Sequence, residues 1–152
     1  MTDIRVMTIE DYEGVYHLWV STPEMGINNT DDSREGIGKY LKRNPTTSFV
    51  AVDNEQIIGA VLAGHDGRRG FIQHMTVLPE YRNQGIASRL VEKAMNALDH
   101  EGIHKVALVA FQKNEVGNAF WESVGFTKRE DLFYRNKNIH ELEYRPNPFR
   151  ES

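Results

Sequence analysis

A glycine-bearing turn between a strand and a helix is the first stretch of this sequence that could do chemistry. Residues 71–77 (FIQHMTV) are rich in β-formers, Pro79 ends that strand, and residues 82–87 (RNQGIA) lead into an amphipathic run at 86–100. The first backbone N–H groups of a helix have no partner within it, and they lie at the positive end of its dipole. The turn is therefore predicted to bind an anion, and phosphate suits it best.

The patterns that this turn lacks narrow the kind of phosphate ligand. The chain has neither the G-x-x-x-x-G-K-[ST] pattern of nucleotide triphosphatases nor the G-x-G-x-x-G pattern of dinucleotide-binding folds. Three predicted antiparallel strands, at 47–53, 56–65 and 71–77, precede the turn, which does not suit a doubly wound dinucleotide fold. The phosphate is therefore expected to belong to a ligand that is bound by neither of these two kinds of protein.

Composition places the chain among globular proteins with one domain. It has 152 residues, 39% of them hydrophobic and 26% charged, so we expect one domain over 1–152 with a flexible tail at 145–152. A net charge of −4 and the lack of any long apolar run argue against nucleic acid and membrane partners. Because the chain has no cysteine and no convincing metal-ligand spacing, we expect no metal and a cytoplasmic location.

Hydrophobic periodicity predicts an α/β (α+β) fold with a mixed, mostly antiparallel sheet of about six to seven strands and about four helices. The predicted strands are 3–7, 47–53, 56–65, 71–77, 105–111, 126–129 and 132–135, and the predicted helices are 9–21, 31–43, 86–100 and a short one capped by Asn114. The strand at 105–111 is almost wholly apolar and follows a helix. It should therefore pair parallel to the strand at 71–77 as a right-handed βαβ unit.

Two blocks of this sequence together resemble the GNAT N-acetyltransferase superfamily. Residues 75–87 (MTVLPEYRNQGIA) match its [RQ]-x-x-G-x-[GA] acetyl-CoA signature, and residues 114–126 (NEVGNAFWESVGF) look like its N-x-x-A-x-x-F-Y-x-x-x-G-F block. The order of the predicted elements fits that superfamily over residues 3–135. Residues 59–70 (GAVLAGHDGRRG) also resemble a bacterial subgroup, the YpeA-like acetyltransferases.

The resemblance implies that acetyl-CoA is the cosubstrate and that the strands at 71–77 and 105–111 splay apart to admit it. The backbone of Met75 and Val77 would pair with the pantetheine arm as an added strand would. The turn amides would hold the pyrophosphate, where Gly85 lets the backbone approach without a Cβ. The cofactor-binding residues implied in this way are Met75, Thr76, Val77, Arg82, Asn83, Gln84, Gly85, Ile86, Ala87, Ser88, Asn114 and Trp121.

The tyrosine that serves as general acid in many members of this superfamily is missing from its usual position. Many superfamily members protonate the leaving thiolate with a Tyr where this chain has Trp121, and an indole N–H is no practical proton donor. Either Trp121 packs against CoA or another group supplies the proton. Tyr134, on a predicted late strand, is the substitute candidate.

Gln73 and His74 are the residues to consider for the role of the general base. The catalytic His of the arylalkylamine branch lies at the position that matches Gln73, which cannot be a base but could orient a water or bind substrate. His74 is of the residue type that most often serves as a general base. Strand alternation, however, puts His74 with Ile72 and Thr76 on the face opposite Gln73. His74 therefore stays open between a structural and a catalytic role.

The leading function is an acetyl-CoA-dependent N-acetyltransferase that moves an acetyl group to a primary amine of a small molecule or peptide by direct transfer. One alternative is a non-catalytic CoA-binding sensor or regulatory module, which Trp121 suggests, and another is a protein N-terminal acetyltransferase. Trp19, Met25 and Tyr40 could form an apolar wall for the acceptor. The resemblance also allows a homodimer through the late strands.

Overall fold

The sheet changes from antiparallel to parallel pairing at its fourth strand. In the computed structural model, which describes residues 2–150, the strands lie side by side in chain order: β1 (Asp3–Val6), β2 (Phe49–Asp53), β3 (Gln56–His65), β4 (Gly70–Val77) and β5 (Val106–Ala107). Pairing from β1 to β4 is antiparallel, whereas β5 lies parallel to β4 after a helical crossover. The predicted mixed, mostly antiparallel sheet is confirmed.

Four α-helices accompany the sheet over residues 2–150, as the sequence predicts. They are α1 (Tyr12–Val20), α2 (Arg34–Arg43), α3 (Ile86–His100) and α4 (Glu115–Ser123), and short 3-10 helices lie at Ile9–Asp11 and Pro79–Tyr81. Side-chain caps explain two of the starts, because Ser33 and Asn114 accept hydrogen bonds from amides in the first turns of α2 and α4. No helix in this described range is long and apolar enough to cross a membrane.

Two buried clusters lie on opposite faces of the sheet. On one face, which we call the α3 face, Leu90 of α3 belongs to a cluster with Ile58 and Ile72. On the other, the α1/α2 face, Trp19 of α1 belongs to a cluster with Leu62. Because strand side chains alternate between faces, the cluster that a strand residue joins shows where its side chain points.

The predicted number of six to seven strands is wrong, because the late part of the chain forms no ladder within the described residues. The predicted strand at 105–111 pairs with β4 only at Val106 and Ala107, and the segments 126–129 and 132–135 form no strand. Residues 127–141, which we call the arm, are all exposed. A strand persists where a neighbouring backbone completes its hydrogen bonds, so the β-propensity of the arm alone does not produce one.

The segment after the arm lies against the loop between α1 and α2. Arg145 donates hydrogen bonds to the carbonyl oxygens of Thr22 and Met25 at 2.6 and 2.7 Å. Asn28 and Tyr144 form an isolated antiparallel bridge. The flexible tail predicted at 145–152 thus begins at a hydrogen-bonded residue, and its last two positions, 151–152, lie outside the described residues.

Asp11 anchors the start of α1 through three hydrogen bonds. Its carboxylate accepts two from the Arg5 guanidinium at 2.8 Å each and one from the Thr8 amide at 2.9 Å. Burial acts to raise the pKa of Asp11, but the hydrogen bonds from Arg5 and Thr8 outweigh it and hold the pKa below its usual value. The stability that Asp11 contributes is therefore present above its unfolded pKa and is lost as the pH falls through the folded one.

We expect Asp11→Asn to lower the free energy of unfolding by about 1–2 kcal/mol at pH 7, because charged hydrogen bonds are lost and solvent around half-exposed Arg5 screens the pair. The difference from the unmodified protein should shrink as the pH falls below about 4. Urea unfolding of the variant and the unmodified protein, at pH 7 and below about pH 4, measures this difference. An equal loss in the exposed control Asp99→Asn, or a loss independent of pH, would contradict this assignment.

Candidate active site

A β-bulge in the middle of β4 decides which side chains point toward α1. The pairing with β3 shifts there, so that Val61 alone faces two residues, His74 and Met75. His74 has a φ of 50°, in the left-handed region, which costs a non-glycine residue about 1–3 kcal/mol. Ile72 and Met75 pack on the α3 face, whereas the imidazole of His74 contacts Trp19 on the α1/α2 face.

The strand alternation predicted at His74 is therefore wrong. An uninterrupted strand would place Ile72 and His74 on one face, but the extra residue of the bulge puts them on opposite faces. Gln73, as the neighbour of Ile72, points away from the α3 face. His74 and Gln73 thus share the α1/α2 face, and the argument from parity against His74 falls away.

The imidazole of His74 meets a buried carboxylate from the segment before α2. Nε2 of His74 lies 2.6 Å from Oδ1 of Asp32, and the two side chains are 16% and 6% exposed. Oδ2 of Asp32 accepts the backbone N–H of Asn28 at 2.8 Å. The Trp19 ring packs edge-on, with its centroid 4.9 Å from that of the imidazole. Sequence reasoning missed Asp32 because its only signal was membership of an acidic run.

Tyr12 of α1 holds the main chain of Asp32. Its hydroxyl donates to the Asp32 carbonyl oxygen at 2.7 Å. Burial raises the pKa of Tyr12, and the neighbouring Tyr16, Asp32 and Glu13 raise it further. The hydroxyl therefore stays protonated at neutral pH, as a hydrogen-bond donor must.

The predicted apolar wall around the acceptor is only partly open. Trp19 is fully buried, so it supports His74 from behind and cannot line an open site. The Tyr40 hydroxyl is buried as well, and burial raises the pKa of Tyr40. Met25 is half-buried, and its sulfur lies 4.0 Å from the Thr76 hydroxyl on β4. Met25 is thus a half-buried member of the wall that contacts β4.

The turn before α3 has the backbone conformation of an anion site. Asn83 and Gly85 have φ values of 63° and 79°, and Gly85 precedes α3 without any side-chain cap on the first amides. Those first-turn amides are open to a ligand. Arg82 ties the turn to the end of β4 because its Nε donates to the Val77 carbonyl oxygen at 3.1 Å. A Cβ added to Gly85 would meet no heavy atom of the described residues within 4 Å, so the space directly beside Gly85 is open.

The second half of β4 has a free edge. The parallel pairing with β5 ends at Phe71 and Ala107, and from Ile72 onward the strand pairs with β3 alone in the described chain. An extended ligand can add to such an edge as another strand would. The bulge, the free edge at 75–77 and the anion turn follow one another along a single strand and its extension.

The second sequence block forms the start and the body of α4. Oδ1 of Asn114 accepts the Gly117 amide at 2.9 Å, which makes Asn114 the N-cap. The Trp121 ring packs edge-on against Phe126 at 5.3 Å and joins the cluster on the α3 face. These contacts are those of a residue that packs within the protein, and contact of Trp121 with CoA stays a prediction.

The candidate acid is not brought to this site. Tyr134 is 68% exposed on the arm, and no hydrogen bond or ring contact joins it to β4 within residues 2–150. The structure does bring together His74 and Gln73 of β4, the free edge at 75–77 and the turn at 82–88. This arrangement can hold an anionic, extended ligand beside a hydrogen-bonded imidazole.

Known proteins match the chain over most of its length. The sequence pattern of the acetyltransferase (GNAT) family matches residues 12–126. The chain is 33% identical over 112 residues to N-alpha-acetyltransferase 30 of Schizosaccharomyces pombe, an alignment that covers 67% of this chain and 75% of that protein. It is 28% identical over 142 residues to acetyltransferase ECA0875 of Pectobacterium atrosepticum, and this alignment covers 93% and 99% of the two chains.

The fold is shared with a solved acetyltransferase structure that contains acetyl-CoA. This predicted acetyltransferase from Clostridium acetobutylicum superposes with a TM-score of 0.70 at 21% identity, over 90% of this chain and 96% of the other. Family match and fold agree with the strand, turn and helix order described above. The chain therefore belongs to the GNAT acetyltransferase family and is an acyltransferase.

Proposed function

We propose that this acyltransferase moves the acetyl group of its cosubstrate, acetyl-CoA, directly to a primary amine of a small molecule or peptide. The observation that carries this proposal is the sequence of three features along β4: the imidazole of His74 at the bulge, the free edge at 75–77 and the anion turn at 82–88. Together they match an acceptor site, a pantetheine site and a pyrophosphate site. Membership of the YpeA-like subgroup and a cytoplasmic location stay predictions from the sequence.

Cosubstrate binding is assigned to β4 and the turn that follows it. The backbone at Met75, Thr76 and Val77 pairs with pantetheine along the free edge, and the turn amides hold the pyrophosphate. One strand amide at 75–77 also serves as the hydrogen-bond donor to the thioester carbonyl, where negative charge develops during transfer. Asn114 and Trp121 border the cosubstrate from the side of α4.

Catalysis is assigned first to His74. A neutral amine attacks the thioester carbonyl, the N–C bond forms, the C–S bond breaks, and the proton that the nitrogen sheds goes to the imidazole. Gln73, on the same face, binds the acceptor or orients a water. Tyr134 remains the sequence-based candidate for the acid, although its exposed place on the arm gives that role no support.

A peptide amine is the second candidate acceptor within this reaction. It is favoured by the relative at 33% identity, whose name describes an N-alpha-acetyltransferase. A flexible peptide N-terminus and a small amine present the same nucleophile, so the chemistry at His74 is common to both. The two acceptors differ in the part of the molecule that carries the amine, and this part would lie beside the half-buried Met25 on the α1/α2 face.

The activity is tested by incubating the protein with acetyl-CoA and a panel of primary amines, with polyamines, aminoglycosides and short peptides with free N-termini among them. We expect release of free CoA thiol, followed with a thiol reagent, together with a mass increase of one acetyl group on the amine. Tight CoA binding without thiol release for any member would contradict the proposal and favour a CoA-binding sensor.

We expect Gly85→Val to weaken CoA binding at least tenfold, since a side chain there intrudes on the phosphate and charged hydrogen bonds are each worth about 1.5–3 kcal/mol. Isothermal titration with CoA measures the change. Gly67→Val is the matched control, because Gly67 has a φ of 96° and open space around it but lies in the β3–β4 turn. Equal affinities for the two variants would refute the pyrophosphate assignment.

We also infer that the chain forms a homodimer in which the arm of each copy covers an apolar surface of the other. Phe133 and Ile139 on the arm are 86% and 92% exposed, and β5 is an edge strand that has no ladder partner beyond Ala107 among residues 2–150. Exposed apolar segments and free strand edges usually find a partner. One chain carries both, so a two-fold pair satisfies both at once.

We expect a dimer in light scattering after size exclusion, and we expect Phe133→Asp with Ile139→Asp to shift it to monomer. Val116→Asp is the control, because Val116 is 82% exposed on α4, outside the arm. A monomeric unmodified protein at about 100 μM, the range of weak association, would overturn this inference.

A further inference from the structure

Asp32 is held in place by hydrogen bonds other than the one to the His74 imidazole. The backbone N–H of Asn28 donates to its Oδ2 at 2.8 Å, and the Tyr12 hydroxyl donates to its carbonyl oxygen at 2.7 Å. The side chain is 6% exposed, so water contributes little to its hydrogen bonding. Its remaining oxygen, Oδ1, has His74 Nε2 as its partner at 2.6 Å. Every contact of this carboxylate therefore favours one orientation, which is aimed at His74.

This geometry dictates which imidazole nitrogen is free. An ionised carboxylate only accepts hydrogen bonds, so Nε2 must carry the hydrogen between His74 and Asp32. In a neutral imidazole the lone pair then lies on Nδ1. Nδ1 is the nitrogen that can take a proton.

We propose that Asp32 is a positioning residue that holds His74 in the Nε2–H tautomer and thereby makes Nδ1 the proton acceptor of the reaction. This inference rests on the proposed function and adds the identity of the accepting atom and the group that orients it. When the amine nitrogen forms its bond to the acetyl carbon, its proton passes to Nδ1. The resulting imidazolium is paired with the Asp32 carboxylate, and it later releases the proton to solvent while the CoA thiolate leaves.

The placement of the pair favours this role over a purely structural ion pair. Buried pairs add little stability compared with apolar residues of similar volume, and this one requires His74 to adopt a φ of 50°. That strained residue is also the one that the bulge aims at the α1/α2 face, directly before the free edge of β4. Strained backbone concentrates at functional sites.

The kinetic test uses Asp32→Asn, His74→Gln and the double variant, with the amine of highest turnover held at saturation and acetyl-CoA varied. We expect Asp32→Asn to lower kcat about 100-fold, within the range of general-base contributions, with the KM for acetyl-CoA changed less than about twofold. Asp32→Asn should cause no further loss in the His74→Gln background, because the two residues act as a unit. Asp31→Asn, the neighbouring exposed carboxylate, is the matched control and should keep its kcat.

Additive losses in the double variant, or a kcat of Asp32→Asn close to that of the unmodified protein, would overturn the inference. A spectroscopic test needs no variant: long-range ¹H–¹⁵N correlation spectra of the unmodified protein, at a pH where the imidazole is neutral, assign its tautomer. We expect His74 to be protonated at Nε2, and protonation at Nδ1 would overturn the inference. An absence of turnover with every amine would contradict the proposed function alone, since the tautomer is decided without it.

Discussion

One extra residue in β4 is the constraint on which the site depends. Without the bulge opposite Val61, His74 would point into the apolar cluster on the α3 face, as strand alternation requires. With it, the imidazole reaches Trp19 and Asp32 on the other face, while Met75 returns to the α3 side. The left-handed backbone at His74 costs about 1–3 kcal/mol, and the contacts with Trp19 and Asp32 hold it.

The loop that carries Asp32 is in turn held by the distant end of the chain. Arg145 donates to carbonyl oxygens of Thr22 and Met25, and its partner Met25 lies 120 positions earlier. The bridge between Asn28 and Tyr144 fixes the residue whose amide donates to the Asp32 carboxylate. The orientation of the imidazole therefore depends on packing between the first and the last parts of the sequence, which explains why local sequence patterns do not reveal it.

Local signals explain what the sequence did predict. The turn at 82–87 and the helix at 86–100 are adjacent in the chain, and glycine at a left-handed position is visible in the sequence itself. The bulge is different, because its left-handed residue is a histidine, whose preference for that backbone region is much weaker than that of glycine. The arm shows the opposite failure, since residues 132–135 have strand propensity but find no neighbouring backbone in the described chain.

The missing tyrosine at Trp121 matters less than it first appears from the family pattern. A thiol has a pKa of about 8.5, so a thiolate leaves and survives in water near neutral pH without a dedicated acid. An amine that has attacked a carbonyl must lose a proton, and that step gains from a base in place. At the usual position of the acid the chain has an indole ring that packs against Phe126. The proposed base, His74, has a strained backbone and contacts a carboxylate and a second indole. The reaction gains more from a base than from an acid, which explains why the candidate site has a well-held imidazole and no tyrosine at position 121.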